Sequence, residues 1–450
     1  MRKTIRIGLL CAVLLAGCYR SDPAAEQLPE PEATPAPRMQ SYTVPGLTYG
    51  DVAKKANEIE YALAEERWDD LAALFAAETD ASSVKEQWFA DGEETYAPAG
   101  AAPIFRDGCI GAVVYLSGSS GVREAVIRMN EALQIETMEC LMRPPFSEPE
   151  SSETWTEEWI YAGNEPKITG ILTLPVNEDG EKEDLPPVAV LVGEETDDAM
   201  NESGSNSEFR KELAHGLAEN GIASVRFNTR CYEDPRLCDV FGYDLDFILS
   251  EDIASIFHSL ETYPVNARQI IYVGHGAAGT MGYSYVYHHF EVTGGLVLIN
   301  APFTKDGVSL FTRAAWLDAS VSEQITEALE DGNAQQDTVI AGYPLSYWRD
   351  WNEMGALKYT RYVAIPILIQ QGKEDRIVTE AEDYENWKSQ KGSNVTMKVY
   401  PDTGHDLRDK DGTFESLYAE DIADWLNGVD ITKKKPEETP LPSPSAVRRP

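Results

Sequence analysis

At 450 residues, 42% of them hydrophobic, the chain is long enough for a large core and for two domains. Its formal net charge of −38 repels phosphate backbones, which argues against nucleic-acid binding and reads as a solubilising, exported surface.

The chain opens with Arg2, Lys3 and Arg6, followed by an apolar run from Ile7 to Leu15 that is too short for a lasting membrane span. The run ends in Leu15-Ala16-Gly17-Cys18, which resembles the lipobox of bacterial lipoproteins. That resemblance implies a signal peptide over 1–18, a lipid on Cys18, and an extracytoplasmic protein held on a bacterial membrane by its acyl chains. Residues 19–46 carry Pro23, Pro29, Pro31, Pro35, Pro37 and Pro45 and read as a solvated linker.

Residues 47–145 read as a small α+β domain. Ile59, Leu63, Leu71, Leu74 and Phe75 recur at helical steps, which predicts a helix from Val52 to Phe75. Ser83 and Glu86 have capping-box spacing and predict the start of a second, short helix. Strands are expected over Cys109–Ser117 and Val122–Met129, turning at Gly118–Gly121, and over Ile135–Met142. No catalytic constellation is visible here.

Residues 150–429 alternate strands and helices, the mark of a largely parallel sheet covered by helices. Strands are predicted at Ile168–Leu174, Pro186–Val192, Ile222–Phe227, Ile270–Val273, Gly295–Asn300, Pro366–Gln371 and Val395–Tyr400. Helices are predicted at Glu208–Asn220, Leu245–Tyr263, after the turn at Gly276 to about His289, Ala381–Ser389 and Phe414–Leu426. Residues 305–357 lack strand character and read as a helical cap insertion, and 430–450 read as a disordered tail.

Four cysteines remain once Cys11 and Cys18 are assigned to the signal and its anchor. They allow three disulfide connectivities. Pairing within each proposed region, Cys109 with Cys140 and Cys231 with Cys238, is the simplest. No Cys or His spacing resembles a metal site, and no cofactor is expected; His288 and His289 point to different faces of a helix and read as surface residues.

The organising stretch is Gln269–Thr280, QIIYVGHGAAGT. An apolar strand runs into a turn of small residues and then a helix, the context of a G-x-S-x-G nucleophile elbow. With Tyr343-Pro344-Leu345-Ser346-Tyr347-Trp348, Gln371-Gly372-Lys373-Glu374-Asp375 and Tyr400-Pro401-Asp402-Thr403-Gly404-His405, the region resembles an α/β-hydrolase of the secreted esterase and dienelactone-hydrolase-like group. The resemblance implies Asp375 as triad acid, His405 as general base, and an oxyanion hole from the backbone at Gly193 or Glu194 and at Ala277.

Two positions depart from that pattern. The nucleophile position is Gly276, which has no side-chain atom to attack a carbonyl. The oxyanion corner reads Gly193-Glu194-Glu195-Thr196-Asp197-Asp198, carboxylates where negative charge would develop. Ser284 lies more than two helical turns beyond the elbow, about 10 Å or more away, and His275 reads as packing. The expectation is therefore a catalytically degenerate hydrolase that binds a small ligand or a partner. The alternative is an active acyl hydrolase that uses Asp375 and His405 with a non-standard nucleophile or activated water.

Overall fold

The computed structural model describes residues 47–89, 95–106, 109–118, 121–142, 148–163, 168–176, 185–193, 209–230, 245–289, 293–303, 308–309, 319–331, 334, 338–340, 343–353, 355, 358–389 and 392–432. Cys18, Glu194 with the carboxylates after it, Cys231 and Cys238 lie outside the described residues.

The smaller body holds helices α1 (Tyr49–Ala64), α2 (Trp68–Ala72) and α3 (Ala81–Trp88) on a four-stranded antiparallel sheet. Its strands are β1 (Ala97–Arg106), β2 (Cys109–Gly118), β3 (Gly121–Met129) and β4 (Ile135–Met142), side by side in that order. Val52, Ala56, Ile59 and Leu63 form one stripe of α1 and bury against Ala112, Val114 and Leu116 of β2 and Ile127 of β3.

Three expectations change here. The predicted helix 52–75 is two helices, because Glu66 takes a left-handed φ of 53° between them. The capping box belongs to α1, where the Thr48 hydroxyl accepts from the Asp51 N–H and the Asp51 carboxylate accepts from the Thr48 N–H. Ser83 lies inside the first turn of α3, after Asp80 at its N-cap. Strand β1 was not among the expected strands; its prolines are tolerated because β1 is an edge strand, and a bulge falls at Pro98/Gly100. The Gly100 N–H there donates to Oε1 of the buried Glu60 at 2.7 Å.

The Cys109–Cys140 pairing is corrected by register. Cys140 is level with Ala125 and through it with Val114, five residues along β2 from Cys109. At about 3.3 Å per residue, with two strand spacings across, the backbones stand far beyond the reach of a disulfide.

The larger body is an eight-stranded mixed sheet. Its strands are β5 (Trp155–Ala162), β6 (Ile168–Pro175), β7 (Val188–Val192), β8 (Ala223–Phe227), β9 (Ile270–His275), β10 (Gly295–Ile299), β13 (Ile367–Gly372) and β14 (Val395–Tyr400). The order is β14-β13-β10-β9-β7-β8-β6-β5; β6 runs antiparallel to both its neighbours, and the six strands from β14 to β8 are mutually parallel. Strand β5 carries Glu157, Glu158 and two Trp, and was not expected. Glu157 is buried against Arg226 and His215; burial would raise its carboxyl, but His215 and Arg226 hold it down to about 2.

Strand alternation builds two cores. Ile271 and Val273 of β9 and Val297 and Ile299 of β10 face α4 (Phe209–Glu219) and the closing helix α10 (Leu417–Gly428), meeting Leu213, Leu217, Ile422 and Trp425. Ile270, Tyr272, Leu296 and Leu298 face α5 (Leu245–Ser259) and α6 (Ala277–His288). The insertion contributes α7 (Ala319–Glu330), a ribbon of β11 (Val339–Ile340) and β12 (Tyr343–Pro344), and α8 (Leu345–Glu353). A π-turn, Glu380–Tyr384, leads into α9 (Glu385–Ser389). No helix among the described residues is long and apolar enough to cross a membrane.

Candidate active site

All the parallel strands end on one side of the sheet, where ligands of open α/β sheets bind. The turn between β9 and α6 lies near its middle. Gly276 caps α6 with φ 58° and ψ −129°, a conformation that strains any residue with a side chain. Its N–H donates to the Ile299 carbonyl at 3.0 Å, which ties the turn to β10. The turn also needs Gly274, where an added Cβ would stand 2.5 Å from the Ala278 carbonyl oxygen. The elbow's backbone is thus complete, and no reactive atom stands at its tip. Ala277 follows in the first helical turn, where N–H groups lack intrahelical acceptors. Gly193 is buried just past the end of β7.

The structure brings Asp375 and His405 together. Asp375 follows β13 and His405 follows β14. His405 Nδ1 stands 2.7 Å from Asp375 Oδ2, and the other carboxylate oxygen accepts from the Ile377 and Val378 N–H groups at 2.8 and 2.9 Å. The pair assigns the Nδ1–H tautomer and leaves Nε2 as the basic nitrogen. Burial works against a charged ring, but the Asp375 carboxylate, with Asp406 beside it, outweighs that and raises the His405 pKa above 6.5.

His275 has a definite part. Its ring lies between Phe209 and His405, with centroids at 4.6 and 4.5 Å, and its Nε2 meets the His405 carbonyl oxygen at 2.7 Å. Burial first, then the nearby His405 and Arg210, hold its pKa well below 6.5. The neutral ring donates to that carbonyl and holds the His405 loop in place.

Asn300 was missed. It follows β10, is fully buried, and takes a φ of 46°, which Asn tolerates better than most residues. Its Nδ2 donates to the Gly404 and His405 carbonyls at 3.2 and 2.9 Å, and its Oδ1 accepts the Gly372 N–H at 2.7 Å. One side chain therefore fastens the acid strand to the histidine loop.

Ser284 is buried on α6 eight residues past Gly276, about 12 Å along the helix, and its hydroxyl has no hydrogen-bond partner among the described residues. His288 is exposed, and the half-buried His289 stacks on Tyr285 at 4.6 Å. Among the described residues no group of three or more His, Cys, Asp or Glu converges to hold a metal ion.

No family model matches the chain. Over 271 residues it is 24% identical to Esterase EstD of Thermotoga maritima, covering 58% of this chain; the chain spans 62% of the length of that esterase. Among solved structures, the esterase domain of a Rhodothermus marinus protein aligns at a TM-score of 0.39 and 13% identity, over 60% of this chain and 98% of that one. Est1E from Butyrivibrio proteoclasticus aligns at 0.40 and 15%, over 60% and 98%. A putative dienelactone hydrolase from Klebsiella pneumoniae aligns at 0.39 and 13%, over 61% and 99%. The strand order, the elbow between β9 and α6, and the strand-end positions of Asp375 and His405 together make residues 155–429 an α/β-hydrolase fold.

Proposed function

We propose that the larger body is a ligand-binding α/β-hydrolase fold from which covalent catalysis has been lost, and that its ligand is a small ester or the acid an ester yields. One observation carries this reading: the elbow presents Gly276 in the strained turn that an attacking side chain would occupy. No acyl-enzyme can form at a residue without a side-chain nucleophile. The likeness to an esterase supports the ligand class.

The hydrogen bond from His405 to Asp375 favours a second reading, in which Nε2 of His405 draws a proton from a water that attacks the ester directly. One assay separates the two: turnover of a panel of acyl p-nitrophenyl esters by wild type, His405→Ala and Gly276→Ser. The first reading expects silence from wild type and turnover from Gly276→Ser. Wild-type turnover abolished by His405→Ala would install the second reading.

The motif at Leu15–Cys18 supports a lipid anchor on Cys18 and a place on the outer side of a bacterial membrane. Radiolabelled palmitate should enter the wild-type chain and not Cys18→Ser. Equal labelling of both would remove the anchor.

A further inference from the structure

A concave site lies at the other end of α6. The helix begins at the elbow and reaches Tyr287 ten residues after Ala277, about 15 Å along its axis. There the last turn of α6, the end of α8 and the turn at 358–362 enclose a cavity of about 470 Å³, the size of a small-molecule site.

Its wall is aromatic and exposed. Tyr287 and Tyr362 are 43% and 54% exposed, with centroids 5.5 Å apart, and Tyr359 backs Tyr287 at 5.1 Å. Two large rings left open beside each other are unusual on a surface this acidic. Charged groups rim them in balance: Asp350 and Glu353 against Lys358 and Arg361. Lys358 pairs with Glu353, and the Arg361 guanidinium lies over Tyr362 at 4.6 Å.

These features select a ligand class. The balanced rim gives no net attraction for a simple anion or cation, and the chain's charge of −38 repels acidic polymers. An aromatic cage for an ammonium group needs room between its rings, and these rings touch one another. What remains is a molecule with an apolar face for the rings and hydroxyls for the rim. We infer that the site binds a neutral oligosaccharide: sugar C–H faces stack on Tyr287 and Tyr362, and vicinal hydroxyls take donors from Arg361 and acceptors from Asp350. The ring spacing is close to the length of one sugar unit. The site lies away from Gly276 and stands whether or not the ester reading holds.

The test is affinity electrophoresis of the full chain in gels containing arabinoxylan, galactomannan, mixed-linkage β-glucan or dextran. Retardation is expected in at least one gel. In that gel Tyr287→Ala/Tyr362→Ala should weaken the apparent affinity about tenfold or more, the scale of one or two lost aromatic contacts. Tyr287→Phe/Tyr362→Phe, which keeps both faces, should retain it. His405→Ala should also retain it, so a failed ester assay and a failed glycan assay are told apart. No retardation in any gel overturns the inference. So does retardation that survives the double Ala substitution with an unchanged thermal melt, or Tyr-dependent binding to phosphatidylcholine vesicles in place of the glycans.

Discussion

At the histidine end of the site, Asp375, His405, Asn300 and His275 form a set of hydrogen bonds that joins the ends of β9, β10, β13 and β14. At the elbow, the turn between β9 and α6 holds a strained shape around Gly276, which carries no side chain. The two ends persist for different reasons. The histidine end is held by side chains that bond one another and buried backbone groups, and removing Asn300 would leave several of those groups unsatisfied. The elbow is held by backbone packing, with Gly274 against Ala278 and the Gly276 N–H on Ile299, so it needs no catalytic residue to keep its form. An elbow in a structure is therefore evidence of fold, and the hydrogen-bonded dyad is the better evidence of a site.

The largest effect should come from Asn300→Ala. It removes three hydrogen bonds and leaves Ala at a positive φ, for a loss of about 2–4 kcal/mol by chemical denaturation. A loss under about 1 kcal/mol would mean that the histidine end is not held by its side chains. Next is the elbow. Gly276→Ser and Gly276→Ala should each cost about 1–3 kcal/mol, because both place a side chain at φ 58°. Only the Ser variant should gain ester turnover, so equal stability with unequal activity is the signature.

A third effect depends on pH. The folded-state pKa of His405 is raised, so its contribution to stability is full below about pH 6.5 and is lost as pH rises through the higher value. His275 runs the other way: its pKa is depressed, so its contribution is full above about pH 6.5 and shrinks as pH falls below it. Asp375→Asn should lower the His405 pKa and flatten the alkaline side of the profile, by about 1.4 kcal/mol for each tenfold drop in the ring's affinity for its proton. NMR titration of the ring protons reads both histidines, and a His405 titration unmoved by Asp375→Asn would break the pairing. The smallest effect is His275→Phe. The ring stays between Phe209 and His405 and only one hydrogen bond goes, for about 0.5–1.5 kcal/mol in thermal melts, since Asn300 still serves the same carbonyl.

What could be read in advance followed from local pattern. The apolar run at Ile270–Val273 followed by small residues marks the elbow, and Asp375 and His405 each follow a recognisable strand. Asn300 could not be found that way. Its partners, Gly372, Gly404 and His405, lie 72 to 105 residues away, and only the sheet brings them to it. The one local sign was an Asn directly after an apolar strand. Strands β1 and β5 escaped for a shared reason: each is an outer strand, so proline in one and glutamate in the other are tolerated where a central strand would refuse them. The spacing of Ser83 and Glu86 matched a capping box, and Asp80 took the cap position with no side-chain bond.

The prolines of β1 bear on how the molecule behaves in company. A sheet edge with a full row of N–H donors is a template on which another chain can lay a strand. Pro98 and Pro103 carry no N–H, the register of β1 shifts between Pro98 and Gly100, and the Gly100 donor is already spent on Glu60. Copies crowded side by side on a surface would meet an edge that cannot be copied, which protects them from polymerising through this sheet at densities where an unbroken edge would seed aggregates.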